Sequence, residues 1–241
     1  MMVQNDCSGT DPLDLIIKKT ENRRVMVKYD SSYPTLVLLY YHLLPVFKTK
    51  RISIICFSDT VCRRIKEAYE SFSTKYPEIT EIMDKAKFVK IGTKKCSPIG
   101  KNKCKEGGEL LFLPWGDTSE IILQLENFVK DLGADDVLFI YGSYVIPTFY
   151  GTSSLRHMLT FFESIPYDVT LISFCPSQIL NESTYKIVER FYDIVLAIKK
   201  GEEFYFDDET YFIEVEESII LDVKPCYGKY KIGVDGRLEK V

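Results

Sequence analysis

A chain of 241 residues that is 46% hydrophobic can bury a full core, and its length suits one α/β domain. A net charge of −4 excludes a global positive field that would draw it to nucleic acid or anionic lipid. Seven cysteines, an odd number without a C-x-x-C pair, argue against a disulfide scaffold and against a zinc site.

Met1 to Thr10 is polar and lacks the basic-then-apolar layout of a signal peptide. The longest strongly apolar run, Leu36 to Phe47, is too short to span a bilayer. A soluble, cytoplasmic protein with no membrane contact is expected. Asp11-Pro12 reads as an N-cap followed by proline at the first helical position, opening an amphipathic helix to about Thr20. Val25–Val27 is a first strand, followed by a polar turn. Pro34 and Thr35 then start a mostly apolar helix that Pro45 bends or ends.

Arg51–Phe57 (RISIICF) is a continuous, mostly apolar run, as a strand covered on both faces should be. Ser58 or Asp59 caps a helix to about Thr74, Ile79–Lys85 gives a short helix and Lys87–Ile91 a third strand. Lys94 to Gly108 has no apolar periodicity and reads as a loop. Leu110–Leu113 is a short apolar segment, and Asp117 caps a helix that Gly133 stops. Asp136–Tyr141 is the most hydrophobic strand and is expected at the centre. Ser153–Ser164 and Glu182–Phe191 read as helices, Tyr167–Phe174 and Asp193–Ile198 as strands. Beyond these, Phe204–Phe206, Thr210–Val215, Ile219–Val223 and Lys229–Val234 alternate in polarity and are broken by turn residues, the pattern of an antiparallel tail. The order predicts one domain over 1–241, with an N-terminal helical segment at 1–20 and an antiparallel tail at 200–241.

Three segments carry a resemblance to a known family. Arg190-Phe191-Tyr192-Asp193-Ile194-Val195-Leu196 resembles the late aspartate-then-strand signature of the RecA-type core in its KaiC-like branch. Tyr230 to Leu238 resembles that family's closing strand and turn, and Leu155-Arg156 with Leu159 resembles the helix after its central strand. The whole is also similar to a small family of uncharacterised archaeal proteins built on this core. The resemblance implies a RecA-like, mostly parallel central sheet with helices on both faces and an antiparallel C-terminal extension. It further implies that the first strand lies beside the central one, and that the turn after the first strand meets Tyr141–Ser143 at the C-terminal edge of the sheet.

The chain departs from the family where nucleotide chemistry resides. A phosphate loop needs G-x-x-x-x-G-K-[ST], in which glycines let the backbone wrap the phosphates, lysine neutralises them and the hydroxyl binds magnesium. With Thr35 at the hydroxyl position, Lys28 and Tyr33 stand where the glycines belong and Pro34 where the lysine belongs. The magnesium-binding aspartate should end the central strand, which ends in Tyr141-Gly142-Ser143. Of the water-activating acids expected after the second strand, only Asp59 is present. The expectation is a domain without cofactor, metal or catalytic residues that binds a protein partner or copies of itself. In the alternative, Tyr29, Asp30, Tyr141, Tyr144 and Tyr150 line an aromatic cleft for a small ligand, with Tyr33, Phe149 and Trp115 nearby.

Two readings stand for the lysine-rich loop. Lys94, Lys95, Lys101, Lys103 and Lys105 either contact an anion or form a solvated surface, and the absence of interleaved aromatics favours the second and weighs against a nucleic-acid partner. Cys96 and Cys104 bracket that loop, either as a local disulfide or as free thiols. His42 among leucines reads as a hydrogen-bonded core residue and His157 as a surface residue.

Overall fold

Runs such as Ile52–Cys56 and Val137–Tyr141 offer apolar side chains to both faces of a strand, so they gain from burial only when both faces are covered. The computed structural model, which describes residues 11–95, 99, 110–201 and 209–241, provides that cover. Its strands are β1 (Arg24–Tyr29), β2 (Arg51–Cys56), β3 (Lys87–Gly92), β4 (Leu110–Pro114), β5 (Asp136–Tyr141), β6 (Thr170–Pro176), β7 (Ile194–Lys200), β8 (Thr210–Ser218), β9 (Cys226–Ile232) and β10 (Leu238–Lys240). They form one sheet in the order β10-β9-β8-β7-β1-β6-β5-β2-β3-β4. From β7 to β4 neighbours are parallel, and β8, β9 and β10 extend the sheet antiparallel.

One face is covered by α1 (Pro12–Lys19), α2 (Ser32–Val37), α3 (Leu44–Val46), α4 (Asp59–Lys75) and α5 (Pro77–Lys85). The other face is covered by α6 (Thr118–Val129), α7 (Val145–Tyr150), α8 (Leu155–Ser164) and α9 (Glu182–Glu189). Alternate strand residues feed the two layers: Val25, Val27, Val137 and Phe139 enter the first, Met26, Leu138 and Ile140 the second. Each such buried side chain contributes roughly 1.5–3 kcal/mol. Between α2 and α3 the stretch Leu38–Leu43 is a π-helix, in which Leu44 N–H donates to Leu39 O. Pro45 has no N–H for the carbonyl four residues back, and the helical ladder slips by one residue beside it.

The mostly parallel sheet, both helical layers and the antiparallel extension agree with the sequence reading, as do the adjacent parallel strands β7, β1, β6, β5 and β2. Several local expectations need correction. The first strand does not touch β5, because β6 lies between them and pairs with both. Ile219–Val223 is a turn rather than a strand: Ile219 and Leu221 point to solvent while Val223 is buried in the core, and no ladder pairs the segment among the described residues. The helix after Asp117 ends at Val129, four residues before Gly133, whose N–H is held by the Asp136 carboxylate. The strand expected from Tyr167 begins at Thr170. Helix α7 and strand β10 were not anticipated, being only six and three residues long. Met1–Thr10, Phe204–Phe206, Lys101, Lys103, Lys105 and the Cys96–Cys104 pair lie outside the described residues.

Among the described residues no helix is long and apolar enough to cross a membrane.

Candidate functional site

Because β1, β5 and β6 are parallel, the segments following them emerge together at the C-terminal edge of the sheet, where open α/β sheets bind ligands. The β1–α2 connection is only Asp30 and Ser31. Ser31 is extended (φ −128°, ψ 135°), and among the described non-glycine residues only Asn22 has a positive φ. An anion-wrapping loop needs a longer, left-handed or glycine-bearing path so that several N–H groups converge. Here the Asp30 N–H is already taken by Ile198 O, and the Thr35 hydroxyl donates to Ser32 O at 2.7 Å. Pro34 and Thr35 are buried, while Tyr33 is half exposed.

Aromatic rings pack at the C-terminal ends of these strands. Tyr141, ending β5, stacks on Phe174 with centroids 4.2 Å apart and planes 8° from parallel. Its hydroxyl is buried without a partner among the described residues. Burial, followed by the neighbouring Tyr40, Tyr29 and Cys56, holds that phenol well above its usual range. Tyr40, on the π-helix, donates to Ile65 O at 2.9 Å, and Tyr29 is buried beside Tyr144. Gly142 (φ +82°) turns the chain sharply after β5, where a Cβ would lie 3.2 Å from Val61.

Of the residues expected to share a cleft, Tyr29 neighbours both Tyr144 and Tyr141. Tyr29 and Tyr144 meet and Tyr141 faces the first helical layer. Asp30 is exposed. Tyr150 belongs to another cluster, its hydroxyl donating to Gly116 O at 3.0 Å and its ring 6.0 Å from Trp115. Phe149, 77% exposed, sits 6.4 Å from the same indole.

Asp59 is held as a structural clamp. It pairs with Lys90, which is wholly buried on β3, and accepts from the Thr93 N–H at 3.0 Å and the Thr93 hydroxyl at 2.5 Å. Burial pushes its carboxyl up, but the bonds from Lys90, Thr93 and Lys94 outweigh that and keep it well below the usual carboxylate range. Gly92 permits the approach, since a Cβ there would lie 2.5 Å from Asp59 Oδ1. A carboxylate so strongly bonded is a poor proton acceptor for water.

Lys28 is likewise committed. Its ammonium lies 2.7 Å from Glu189 and 2.5 Å from Glu216. Through Lys186 and Lys199 the pairs extend to Glu217 and Glu214, an alternating network across β1, β7, β8 and α9. Desolvation lowers the Lys28 pKa, and the two glutamates more than reverse it, so the lysine stays charged. Lys90 and this network escaped the sequence reading. The signal for Lys90 was present: a lone lysine within Phe88–Ile91, a strand otherwise apolar on both faces.

His42 accepts the Leu238 N–H at 3.2 Å, as expected for a hydrogen-bonded core residue. Burial lowers its pKa to about 4. His157 is half-buried rather than superficial, with Nδ1 enclosed and without a partner among the described residues. Cys56, Cys62, Cys175 and Cys226 are buried. Among the described residues no three His, Cys, Asp or Glu side chains converge to hold a metal ion.

No protein-family profile and no curated protein sequence matches this chain. Solved structures do. A structural-project protein from Pyrococcus horikoshii OT3 aligns with TM-score 0.58 at 12% identity, over 95% of this chain and 98% of that one. A KaiC-like protein from the same archaeon gives 0.57 at 11%, over 91% and 90%. The flagellar accessory protein FlaH from Methanocaldococcus jannaschii gives 0.55 at 11%, over 97% and 96%. Likeness at such identities concerns the fold, and the fold is RecA/KaiC-like.

Proposed function

We propose that this chain is a non-catalytic, soluble protein of the RecA/KaiC-like fold that acts by binding, to a partner protein or to copies of itself, as one domain. The observation carrying this reading is the two-residue β1–α2 turn, whose backbone has no concavity for a phosphate and whose first N–H is already bonded. The remaining groups that phosphoryl transfer needs are absent or engaged elsewhere: Pro34 replaces a lysine, Tyr141 replaces an aspartate, and Asp59 is clamped by Lys90. The archaeal sources of the structural neighbours accord with the archaeal family that the sequence resembles.

A second reading, a small-ligand sensor using aromatic side chains, is favoured by exposed Phe149 and Tyr150 clustered on half-buried Trp115 at the same edge. Purified protein supplied with magnesium and ATP is expected to show no turnover above a buffer blank. Turnover that survives purification and disappears in Thr35→Val or Asp59→Asn would overturn the non-catalytic reading. A thermal-shift screen separates the two binding readings, because a ligand of the native state alone raises the midpoint.

A further inference from the structure

At the N-terminal edge of the sheet, opposite the site just described, a cleft of about 1070 Å³ opens between the starts of β1 and β7, the ends of α8 and α9, and Ser218–Ile219. Arg24 lies on its floor and is only 6% exposed. Its Nη1 donates to Phe162 O at 3.2 Å and its Nη2 to Ile165 O at 2.6 Å, which satisfies carbonyls at the end of α8. Its Nε, also buried, has no acceptor among the described residues. The ring of Tyr167 covers the guanidinium, 4.6 Å from Cζ to centroid, yet is itself 76% exposed.

The charges around this cleft do not cancel. Of its carboxylates, Asp193 accepts the Arg24 N–H, Glu189 is held by Lys28 and Lys186, and Glu217 by Lys186. Glu163 makes no ion pair among the described residues, and neither do Arg23 and Arg190, both exposed on the rim. A backbone N–H does not neutralise Asp193, so three guanidinia face two carboxylates without a cationic partner among the described residues, Glu163 and Asp193. The walls between them are apolar: Val195 is buried, Phe191 half-buried and Ile219 74% exposed. A planar guanidinium presents paired N–H donors that match a carboxylate or phosphate. The charge of Arg24 near a protein wall is screened less than a charge in open solvent.

We infer that this cleft is a binding site for an amphipathic anion, a small molecule joining a carboxylate or phosphate group to an apolar body. Arg23 and Arg190 grip the anionic group over the positive floor, and Ile219 and Phe191 cover the apolar part. The volume lies just above the usual range of small-molecule sites. The site is at the opposite sheet edge from the nucleotide position, so its test and the ATP test stand or fall separately.

Isothermal titration of the full chain with octanoate, octyl phosphate, inorganic phosphate and uncharged octyl glucoside, all below micelle-forming concentrations, reads the inference directly. At least one octyl anion should bind saturably at one site, more tightly than inorganic phosphate and than the glucoside. Octanoate alone assigns a carboxylate ligand, octyl phosphate alone a phosphate. The double variant Arg23→Glu, Arg190→Glu should weaken binding at least about tenfold while keeping the wild-type thermal midpoint, and Ile219→Asp, at an exposed turn, should weaken it independently. Equal binding of the glucoside, no binding of either anion, or affinities unmoved by both variants would overturn the inference.

Discussion

The two edges of the sheet make opposite use of the same kinds of residue. At the C-terminal edge a cation is buried against an acid, Lys90 against Asp59. Aromatic rings pack there on one another, as Tyr141 does on Phe174. At the N-terminal edge Arg23 and Arg190 face solvent without acidic partners among the described residues, and Tyr167 lies open over Arg24. Charge at the first edge is spent on holding strands and loops together; at the second it remains available to an incoming group. An edge with its donors bonded internally resists ligands, because binding would first have to break those bonds.

This contrast is sharpest where charge is most deeply buried. Asp59→Ala leaves the Lys90 ammonium wholly buried without its carboxylate, and a cost of about 3–5 kcal/mol is expected from urea unfolding. Tyr141→Ala is expected to cost about 3–4 kcal/mol through the lost stack and the cavity left behind. Tyr141→Phe removes only a hydroxyl that has no partner among the described residues, and should leave stability unchanged or raise it by about 1 kcal/mol. A Tyr141→Phe variant as damaged as Tyr141→Ala would mean that the phenol makes a bond important to the fold.

The pH dependence comes next in size. His42 has a folded pKa of about 4 against an ordinary value of 6.5, so its neutral form is favoured in the native state. Its contribution is fully present above pH 6.5 and is lost as pH falls towards 4, by at most about 3 kcal/mol at roughly 1.4 kcal/mol per unit. Unfolding midpoints measured from pH 7 to pH 4 should fall less steeply in His42→Gln than in the wild type. Parallel curves would exclude His42 as the source. The smallest effect belongs to the open edge: Arg23→Ala and Arg190→Ala should each change stability by less than about 0.5 kcal/mol, as exposed unpaired charges do. A larger loss would show that these arginines are structural, and would close the contrast between the edges.

Most of the fold was legible because burial on both faces leaves a plain mark. Arg51–Phe57 and Asp136–Tyr141 could hardly be anything but inner strands, and Asp11, Ser58 and Asp117 announce helix starts that the structure caps as written. What failed was local composition without tertiary context. Ile219–Val223 has strand-like residues but turns outward at the end of β8, and α7 is a six-residue helix containing a proline. Strand order was misjudged because the sequence of Val25–Val27 does not say which parallel neighbour it takes. At the candidate site, the lost phosphate-loop residues were readable in Pro34 and Tyr33. The partners of Lys28 and Asp59 were not, since Glu189, Glu216 and Lys90 arrive from distant elements.

The central claim, that the C-terminal edge is closed to nucleotide, is tested most directly by titrating Mg·ATP into the full-length protein in a calorimeter. The account predicts no saturable heat up to millimolar nucleotide, because Tyr29, Tyr141 and the bonded turn at Asp30–Thr35 leave no phosphate cradle. One-site binding that is lost in Thr35→Val or Lys28→Met would contradict it.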